Sequence, residues 1–231
     1  MLFKTKIVLL VMGSAMSLVI LYYLHSQFPL NRSGFVYYLP ITSFVDGKWI
    51  RMNRLLADSY KVCDDSTTID PASHLSCDMT VSSPAGWKKL CYKTRAMFEE
   101  ICRTKAYKEY KFLVKTDDDA IMDPLVERYI SSQYGGGNVY FGTTYGPNTS
   151  YDPQNNTWFG GWFYGVNTEV VDQICECGLP QCVPKMGEDQ WFGYTLGQCN
   201  VEKRDLVVPE DFVHHKEYST KRLNIKFKAI R

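Results

Sequence analysis

The sequence predicts an α/β fold with a mixed sheet, preceded by one transmembrane helix. Short apolar runs of strand length alternate with segments in which apolar residues recur every three or four positions, and this alternation is typical of an α/β sandwich. One further run, residues 7–24, holds 18 residues without a charge. That length is close to the roughly 20 apolar residues that cross a bilayer as a helix.

The composition narrows the classes of protein to which the chain can belong. Its 231 residues include 26 Lys and Arg against 25 Asp and Glu, a net charge of +1. This balance argues against a nucleic-acid-binding protein, which needs a basic face. A hydrophobic content of 45% is ordinary for a globular chain and too high for a disordered one. The length suits one domain of common size with an appendage, and a single long apolar run does not suit a polytopic membrane protein.

We expect the apolar run to be an uncleaved signal anchor. Lys4 and Lys6 precede it and no acidic residue lies before Asp46, a charge pattern that predicts a cytoplasmic amino terminus. A cleaved signal peptide is the alternative, but its apolar core is usually about 7–15 residues long and ends at a small-residue cleavage site. Either reading sends the rest of the chain into the secretory lumen. The expected tail, anchor, stem and lumenal domain are residues 1–6, 7–24, 25–34 and 35–231.

Glycosylation sequons and cysteines agree with a lumenal address. Asn31, Asn148 and Asn155 each begin an Asn-x-Ser/Thr sequon. All eight cysteines follow the anchor, and an even number in an oxidising compartment favours disulfides. Cys91 and Cys102 lie in one predicted helix, about 16 Å apart along its axis, and so cannot bridge to each other. A four-thiolate zinc site without the usual Cys-x2-Cys pairs is the alternative; it would use Cys175, Cys177, Cys182 and Cys199.

Each element is predicted from its local pattern. Asp123 and Pro124 supply an N-cap and a first helical position. Residues 63–85 are polar and predict a loop with at most one strand, and residues 143–157 predict an irregular loop. The expected strands are residues 35–40, 110–116, 138–142, 158–166 and 206–208. The expected helices are residues 48–60, 87–103, 123–133, 168–175 and 188–197.

The strongest chemical signal is a run of three carboxylates, Asp117, Asp118 and Asp119, directly after the strand at residues 110–116. Adjacent carboxylates repel one another unless a positive charge sits among them. The carboxyl end of a strand is where ligands of α/β sheets bind, and Mg²⁺ and Mn²⁺ prefer oxygen ligands. The run therefore predicts a metal site that can hold a diphosphate. A solvated acidic turn that caps the next helix is the alternative, whereas an EF-hand would need alternating carboxylates.

Two weaker signals follow further along the chain. Glu188 and Asp189 begin a predicted helix, where they either compensate the helix dipole or include a general base sheltered by aromatic side chains. His214 and His215 follow the last predicted strand, where they are either surface residues or metal ligands.

Five segments occur in an order that a known enzyme family shares. Together they resemble the family 31 glycosyltransferases, which are the β-1,3-galactosyltransferase, core-1 and Fringe-like hexosyltransferases, and the resemblance covers roughly residues 87–216. The segments are Lys93-Thr94 in the predicted helix, the Lys-Thr-Asp-Asp-Asp run at residues 115–119, Gly160-Gly161, Gly187-Glu188-Asp189, and the stretch from Phe212 to His214.

The resemblance implies a fold, a reaction and a location. The fold would be a Rossmann-like nucleotide-sugar-binding domain of the GT-A type. The activity would be that of a type II membrane hexosyltransferase of the Golgi, which transfers galactose or an N-acetylhexosamine from a UDP-sugar to a hydroxyl of a glycan or glycoprotein. Transfer would proceed with inversion at the anomeric carbon and would depend on Mn²⁺.

The resemblance also implies a metal site. Asp119 would bind Mn²⁺ directly, and Asp117 would lie nearer the ribose or a metal-bound water. Asp118 belongs to the same donor-binding run. His214 or His215 would complete the metal shell, and the sequence does not decide between them. Mn²⁺ would act as a Lewis acid on the departing diphosphate.

Two further roles concern the sugars. Asp189 would take the proton of the acceptor hydroxyl, and Gly160 and Gly161 would let the backbone approach the sugars closely. Two segments depart from the family pattern: Gln190 stands where the family has Val, and residues 49–54 echo the family's basic amino-terminal helix only faintly.

Two other functions remain open on the sequence. The short amino-terminal half suits an inactive lumenal homologue that acts as a partner or glycan-binding subunit. The aromatic content of 14% suits a carbohydrate-binding module of another kind, because aromatic rings stack on sugars. Metal-dependent UDP binding would exclude the binding module, and turnover would exclude the inactive homologue. The sequence leaves open whether the chain forms a homodimer.

Overall fold

A seven-stranded sheet forms the centre of the fold in the computed structural model. The structure describes residues 34–41, 59–65, 67, 76–84, 89–144 and 158–215, all of which belong to one compact unit, Ser33–Arg231. The strands of the sheet are β1 (Phe35–Pro40), β2 (Ser59–Cys63), β3 (Met79–Thr80), β4 (Phe112–Thr116), β6 (Val139–Gly142), β7 (Phe163–Asn167) and β8 (Arg204–Val207). A second, two-stranded sheet pairs β5 (Ala120–Met122) with β9 (Val213–His215). The α-helices of the described residues are α1 (Leu90–Thr104), α2 (Leu125–Gln133), α3 (Thr168–Cys177) and α4 (Glu188–Gln198).

The strand order places a topological switch point between β1 and β4. Across the sheet the order is β3-β2-β1-β4-β7-β6-β8, and neighbours are parallel except where β7 pairs with β4 and β6. From β1 the chain adds β2 and β3 on one side and then β4 on the other. The carboxyl ends of β1 and β4 therefore flank a crevice of the kind in which α/β sheets bind ligands. The predicted mixed α/β sheet is confirmed.

Alternating side chains build a hydrophobic core on each face of the sheet. Along β1, Val36 and Tyr38 belong to one core and Phe35, Tyr37 and Leu39 to the other, as the two-residue period of a strand requires. Helices α1, α3 and α4 cover the first core, and α2 with the β5–β9 sheet covers the second. The fold therefore has three layers, with the larger sheet in the middle.

Four disulfides account for all eight cysteines, and one of them, Cys102–Cys175, joins two helices, α1 and α3. Because no cysteine is free, the zinc alternative is wrong. Cys91 and Cys102 do not bridge to each other, as their spacing predicted. The bridges are Cys63–Cys77, Cys91–Cys182, Cys102–Cys175 and Cys177–Cys199.

The strand expected at residues 158–166 begins later than predicted. The N–H of Gly160 donates to the carbonyl of Thr143 at 2.6 Å, and the N–H of Phe163 donates to the carbonyl of Gly160 at 3.1 Å. These bonds close a turn before β7, so the aromatic and glycine residues that precede Phe163 do not join the sheet.

The prediction of a helix at residues 48–60 is wrong for its last two residues. Residues 59–60 belong to β2, where they pair with Tyr37 and Tyr38 of β1, and residues 48–58 lie outside the described part of the chain. The small β5–β9 sheet was not predicted at all. The other predicted strands and helices agree with the structure to within three residues at each end.

Several predictions fall on residues that the structure does not describe. The tail, the anchor at residues 7–24, nearly all of the stem and Asn31 lie within residues 1–33, and Asn148 and Asn155 lie within residues 145–157. Among the helices that the structure describes, none is long and apolar enough to span a bilayer.

Candidate functional site

A buried lysine lies at the centre of the site. Leu113 and Lys115 occupy the face of β4 that packs against α1, α3 and α4, because side chains alternate along the strand. The Lys115 side chain has no exposed surface. Its Nζ donates to Asp117 Oδ1 at 2.6 Å, to Glu188 Oε1 at 2.7 Å and to the carbonyl of Gly161 at 2.5 Å. One cation thus joins three segments that are distant in sequence.

The Glu188 carboxyl group is held from two sides. Lys115 donates to Oε1, and the hydroxyl of Tyr164 donates to Oε2 at 2.9 Å. Burial raises the pKa of Glu188 to about 7, Lys115 opposes this shift, and the carboxylates of Asp189 and Asp117 add to it. Burial alone would lower the pKa of Lys115, but Asp117 and Glu188 together hold that pKa above its ordinary value. Burial beside Glu188 also raises the pKa of Tyr164.

Asp189 lies in the first turn of α4. Its side chain is buried, and its Oδ1 accepts the N–H of Gln190 at 2.8 Å. The Gln190 side chain in turn accepts the N–H of Gly187 at 3.0 Å, which satisfies a backbone donor at the start of the helix. Gln190, the residue that departs from the family pattern, therefore has a capping role here.

The turn before β7 packs against both carboxyl groups of α4. A Cβ atom placed on Gly161 would collide with the Glu188 carboxyl group and lie 3.7 Å from Asp189 Oδ2. On Gly160, the same atom would lie 3.2 Å from the ring of Trp162. A side chain at position 161 would therefore force the Glu188 carboxyl group out of its place beside Lys115.

The acidic run folds back on the same turn. The N–H of Asp117 and the hydroxyl of Thr116 both donate to the carbonyl of Trp162, at 3.2 and 2.9 Å. Asp117 keeps 25% of its side chain exposed, and Asp118 and Asp119 are half-buried in the turn that leads to β5. The run thus extends from the buried Lys115 to the surface of the switch-point crevice.

The histidines lie beside the acidic run in the small sheet. In the β5–β9 ladder, His214 pairs with Ile121, and His215 pairs with Ala120, the residue after Asp119. His214 is half-buried. Within the part of the chain that the structure describes, no three His, Cys, Asp or Glu side chains form a group that could hold a metal ion. The pairing of β9 with β5 is therefore the observation that brings the histidines close to the acidic run.

A second buried lysine lies at the carboxyl ends of β1 and β2. Lys93 of α1 is 2% exposed, its ammonium lies 3.3 Å from the carboxylate of Asp64, and it also donates to the carbonyl of Ile41. Thr67 donates to the same carbonyl at 3.0 Å. Burial lowers the pKa of Lys93, and Asp64 and Asp118 oppose the shift. Lys93 therefore joins the ends of β1 and β2, and the charge of Asp118 in the acidic run also acts on it.

The comparisons with known proteins identify no family. No protein-family model matches the chain. No curated protein matches it significantly either. The resemblance to family 31 glycosyltransferases is therefore a hypothesis that rests on the sequence motifs alone.

Sequence reasoning named most of these residues but missed the groups that join them. Lys115 and Tyr164 were given no role, Glu188 was considered only for the helix dipole or as a general base, and Asp64 was not singled out. One signal could have pointed to Lys115. A lysine inside a strand that is buried on both faces needs carboxylate partners, because an unpaired buried charge is very costly.

Proposed function

We propose that the chain is a metal-dependent, inverting hexosyltransferase that moves a sugar from a UDP-sugar to a hydroxyl of a glycan or glycoprotein. One observation carries the proposal. Asp117–Asp119 lie at the switch point of the sheet, and the same buried lysine joins them to the first turn of α4, where Asp189 lies. A donor-binding acidic run and a candidate base therefore share one rigid site.

The switch point supports binding of a nucleotide donor. The carboxyl ends of β1 and β4 flank the crevice, and ligands of open α/β sheets bind outside such ends. The polar groups at this edge include Asp64 and Lys93 beside β1 and β2, and the acidic run beside β4. A nucleotide laid across β1 would place its diphosphate at the acidic run.

The described residues form no group of three ligands, but a hard divalent cation is commonly held by one or two carboxylates together with the phosphates of its substrate. Asp119 would hold Mn²⁺, Asp117 would lie nearer the ribose or a metal-bound water, and the diphosphate and water would supply further oxygen ligands, which such cations prefer. His214 or His215 would add a ligand from β9. When bound, the cation would neutralise the negative charge that develops on the departing diphosphate.

Asp189 is better suited than Glu188 to take the proton of the acceptor hydroxyl. Both oxygens of Glu188 already bind other groups, Lys115 and Tyr164. Asp189 lies beside Gly161 in the first turn of α4, at the turn that precedes β7. The acceptor oxygen would attack the anomeric carbon of the donor while the bond from that carbon to the diphosphate breaks. The proton of the acceptor hydroxyl would pass to Asp189.

The location follows from the amino-terminal segment. Residues 7–24 would anchor the chain in the Golgi membrane as a single-pass type II protein. The remainder would face the lumen, where an oxidising environment suits four disulfides.

Metal-dependent UDP binding tests the donor site. We would measure the thermal unfolding of the full chain in detergent with UDP, in the presence of Mn²⁺ or a chelator. At 100-fold saturation the ligand should stabilise the fold by about 2.7 kcal/mol, and only with Mn²⁺. Asp119→Ala should lose this gain. Glu202→Ala is the matched control. Glu202 is exposed and precedes the amino end of β8, whereas the acidic run follows the carboxyl end of β4, at the other end of the strands. A wild type that UDP does not stabilise would contradict the proposal.

Turnover separates an enzyme from an inactive homologue. A panel of UDP-sugars with glycan acceptors should show release of UDP that requires Mn²⁺, and Asp189→Asn should lower kcat by at least about 100-fold, in the range expected for loss of a general base. Tight Mn²⁺-dependent UDP binding without turnover on any donor would favour the partner or glycan-binding subunit.

A further inference from the structure

We infer that Lys115 is a positioning residue of the proposed site: its buried ammonium holds the acidic run, the Gly160–Gly161 turn and the first turn of α4 in one fixed arrangement. The inference deepens the proposed transferase function and rests on it. It concerns a residue that touches neither substrate nor metal and acts through the groups that do.

The backbone of Lys115 is held in place by the sheet. It pairs with Tyr38 of β1 on one side and with Tyr164 of β7 on the other. A central strand that is bonded on both sides cannot shift without breaking two ladders. The position from which the ammonium extends is therefore among the most constrained in the fold.

Lys115 and its cross-strand neighbour bind the same carboxyl group. Tyr164 lies directly opposite Lys115 in the antiparallel ladder, and the lysine Nζ lies 5.7 Å from the centre of the tyrosine ring. Lys115 Nζ and the Tyr164 hydroxyl donate to the two oxygens of Glu188. The start of α4, and with it Asp189, is thereby fixed to the centre of the sheet.

The same ammonium fixes the other two parts of the site. Its bond to Asp117 Oδ1 sets the direction of the acidic run as it leaves β4. Its bond to the Gly161 carbonyl holds the turn whose backbone lies against Asp189. Without the cation, the carboxyl groups of Asp117 and Glu188 would face each other uncompensated, and their repulsion would separate the donor-binding and proton-accepting halves of the site.

Stability and positioning can be separated by an apolar replacement. A buried ion cluster is often replaced by apolar residues of similar volume without loss of stability. The variant Lys115→Met/Tyr164→Phe/Glu188→Met removes the charges and the hydroxyl together and leaves Asp117, which is partly exposed, to be solvated. It should unfold within about 5 °C of the wild type, yet its affinity for UDP with Mn²⁺ should fall at least tenfold, because Asp117 is no longer held.

A single variant divides the two halves of the site. Glu188→Met cuts the connection from Lys115 to α4 but leaves the Lys115–Asp117 pair, so the buried charge stays balanced. We expect kcat to fall at least tenfold, while KM for the UDP-sugar stays within about threefold of wild type. A purely structural role would change the unfolding temperature without this split between kcat and KM.

The matched control is another lysine–carboxylate pair. Lys203 directly precedes β8. Its Nζ lies 2.5 Å from Asp205 Oδ1 and 5.1 Å from the centre of the Tyr140 ring. Lys203→Met/Asp205→Asn should leave both UDP affinity and kcat unchanged.

The outcomes distinguish the inference from the function on which it rests. Loss of UDP affinity in the folded triple variant, together with the kcat effect of Glu188→Met, supports the positioning role. A folded triple variant that binds UDP as tightly as wild type overturns it, and so does a Glu188→Met variant with wild-type kcat, which decides the matter if the triple variant does not fold. A wild type without Mn²⁺-dependent UDP binding instead overturns the proposed function, and the inference with it.

Discussion

The hydroxyl of Tyr164 donates a hydrogen bond of 2.9 Å to Glu188, from the strand position directly opposite Lys115. All three groups are buried. A strand pair at the centre of the sheet thus fixes the beginning of a helix through side chains alone. The consequences of this contact can be measured without knowing any substrate.

Removing the tyrosine hydroxyl should weaken the fold. Tyr164→Phe leaves one oxygen of Glu188 without its donor, and we expect a loss of about 1–3 kcal/mol, as for other buried hydrogen bonds to carboxyl groups. Denaturant titration would measure the change in the free energy of unfolding. Tyr92→Phe, at a tyrosine that is 37% exposed, is the control and should change stability by less than about 0.5 kcal/mol. Equal effects at the two sites would contradict the role given to Tyr164.

The pH dependence of stability should carry the signature of Glu188. Burial raises the pKa of this carboxyl from its ordinary value of 4.5 to about 7, so between these values the folded state keeps a proton that the unfolded chain releases. The stability that this group contributes is complete below pH 4.5 and is lost as pH rises through 7. Relative to Glu188→Gln, the wild type should lose up to about 1.4 kcal/mol per pH unit across this window. Parallel profiles of the two proteins between pH 5 and 8 would refute the shift.

Replacing Gly161 by alanine should destabilise the fold, whereas replacing Gly135 by alanine should not. The Cβ of Gly161→Ala would collide with the Glu188 carboxyl group, and such overpacking costs about 1–3 kcal/mol. Gly135 has nothing within 4 Å of the same position and no positive φ. Gly135→Ala should therefore be neutral or stabilising by less than about 1 kcal/mol. Thermal unfolding of both variants checks the difference, and a neutral Gly161→Ala would mean that the Glu188 carboxyl group can move away from the turn at no cost.

The disulfides should differ in how much they stabilise. Cys102–Cys175 closes a segment of 73 residues and Cys63–Cys77 one of 14. In the chain-entropy account the longer closure restricts the unfolded chain more, by about 1.5 kcal/mol when the Cys91–Cys182 bridge that encloses it is absent. Replacing each pair by alanine in a background that already lacks Cys91 and Cys182, and comparing guanidinium unfolding, would test the order. A larger loss from the shorter bridge would show that contacts near Cys63 outweigh the entropy.

The layers of the fold could be predicted because local patterns decide them. The strand at residues 35–40 is marked by an apolar run and the helix that begins near Pro124 by the Asp123-Pro124 pair, and both elements were predicted, the helix to within two residues of its start. The turn before β7 could not be predicted, because it depends on a bond from Gly160 to Thr143, 17 positions earlier. The β5–β9 pair escaped for the same reason, since its strands are three residues long and lie about 90 positions apart.

The site was only half predictable from the sequence. Its acidic residues lie in short motifs, which a reader of the sequence can see. Their common partner does not show in any motif, because Lys115 meets Glu188 across 73 positions and Gly161 across 46. The packing of α4 on the sheet decides which carboxylate oxygens accept hydrogen bonds from Lys115.

The two disulfides that begin in α1 determine what happens when a protease cleaves the chain between their cysteines. The turn at residues 135–137 is exposed, and exposed glycine-rich loop tips are where proteases cut most readily. Cys91–Cys182 and Cys102–Cys175 both span that turn. A molecule cleaved there would therefore remain in one piece, migrating as a single band in a non-reducing gel and as two fragments once its thiols are reduced.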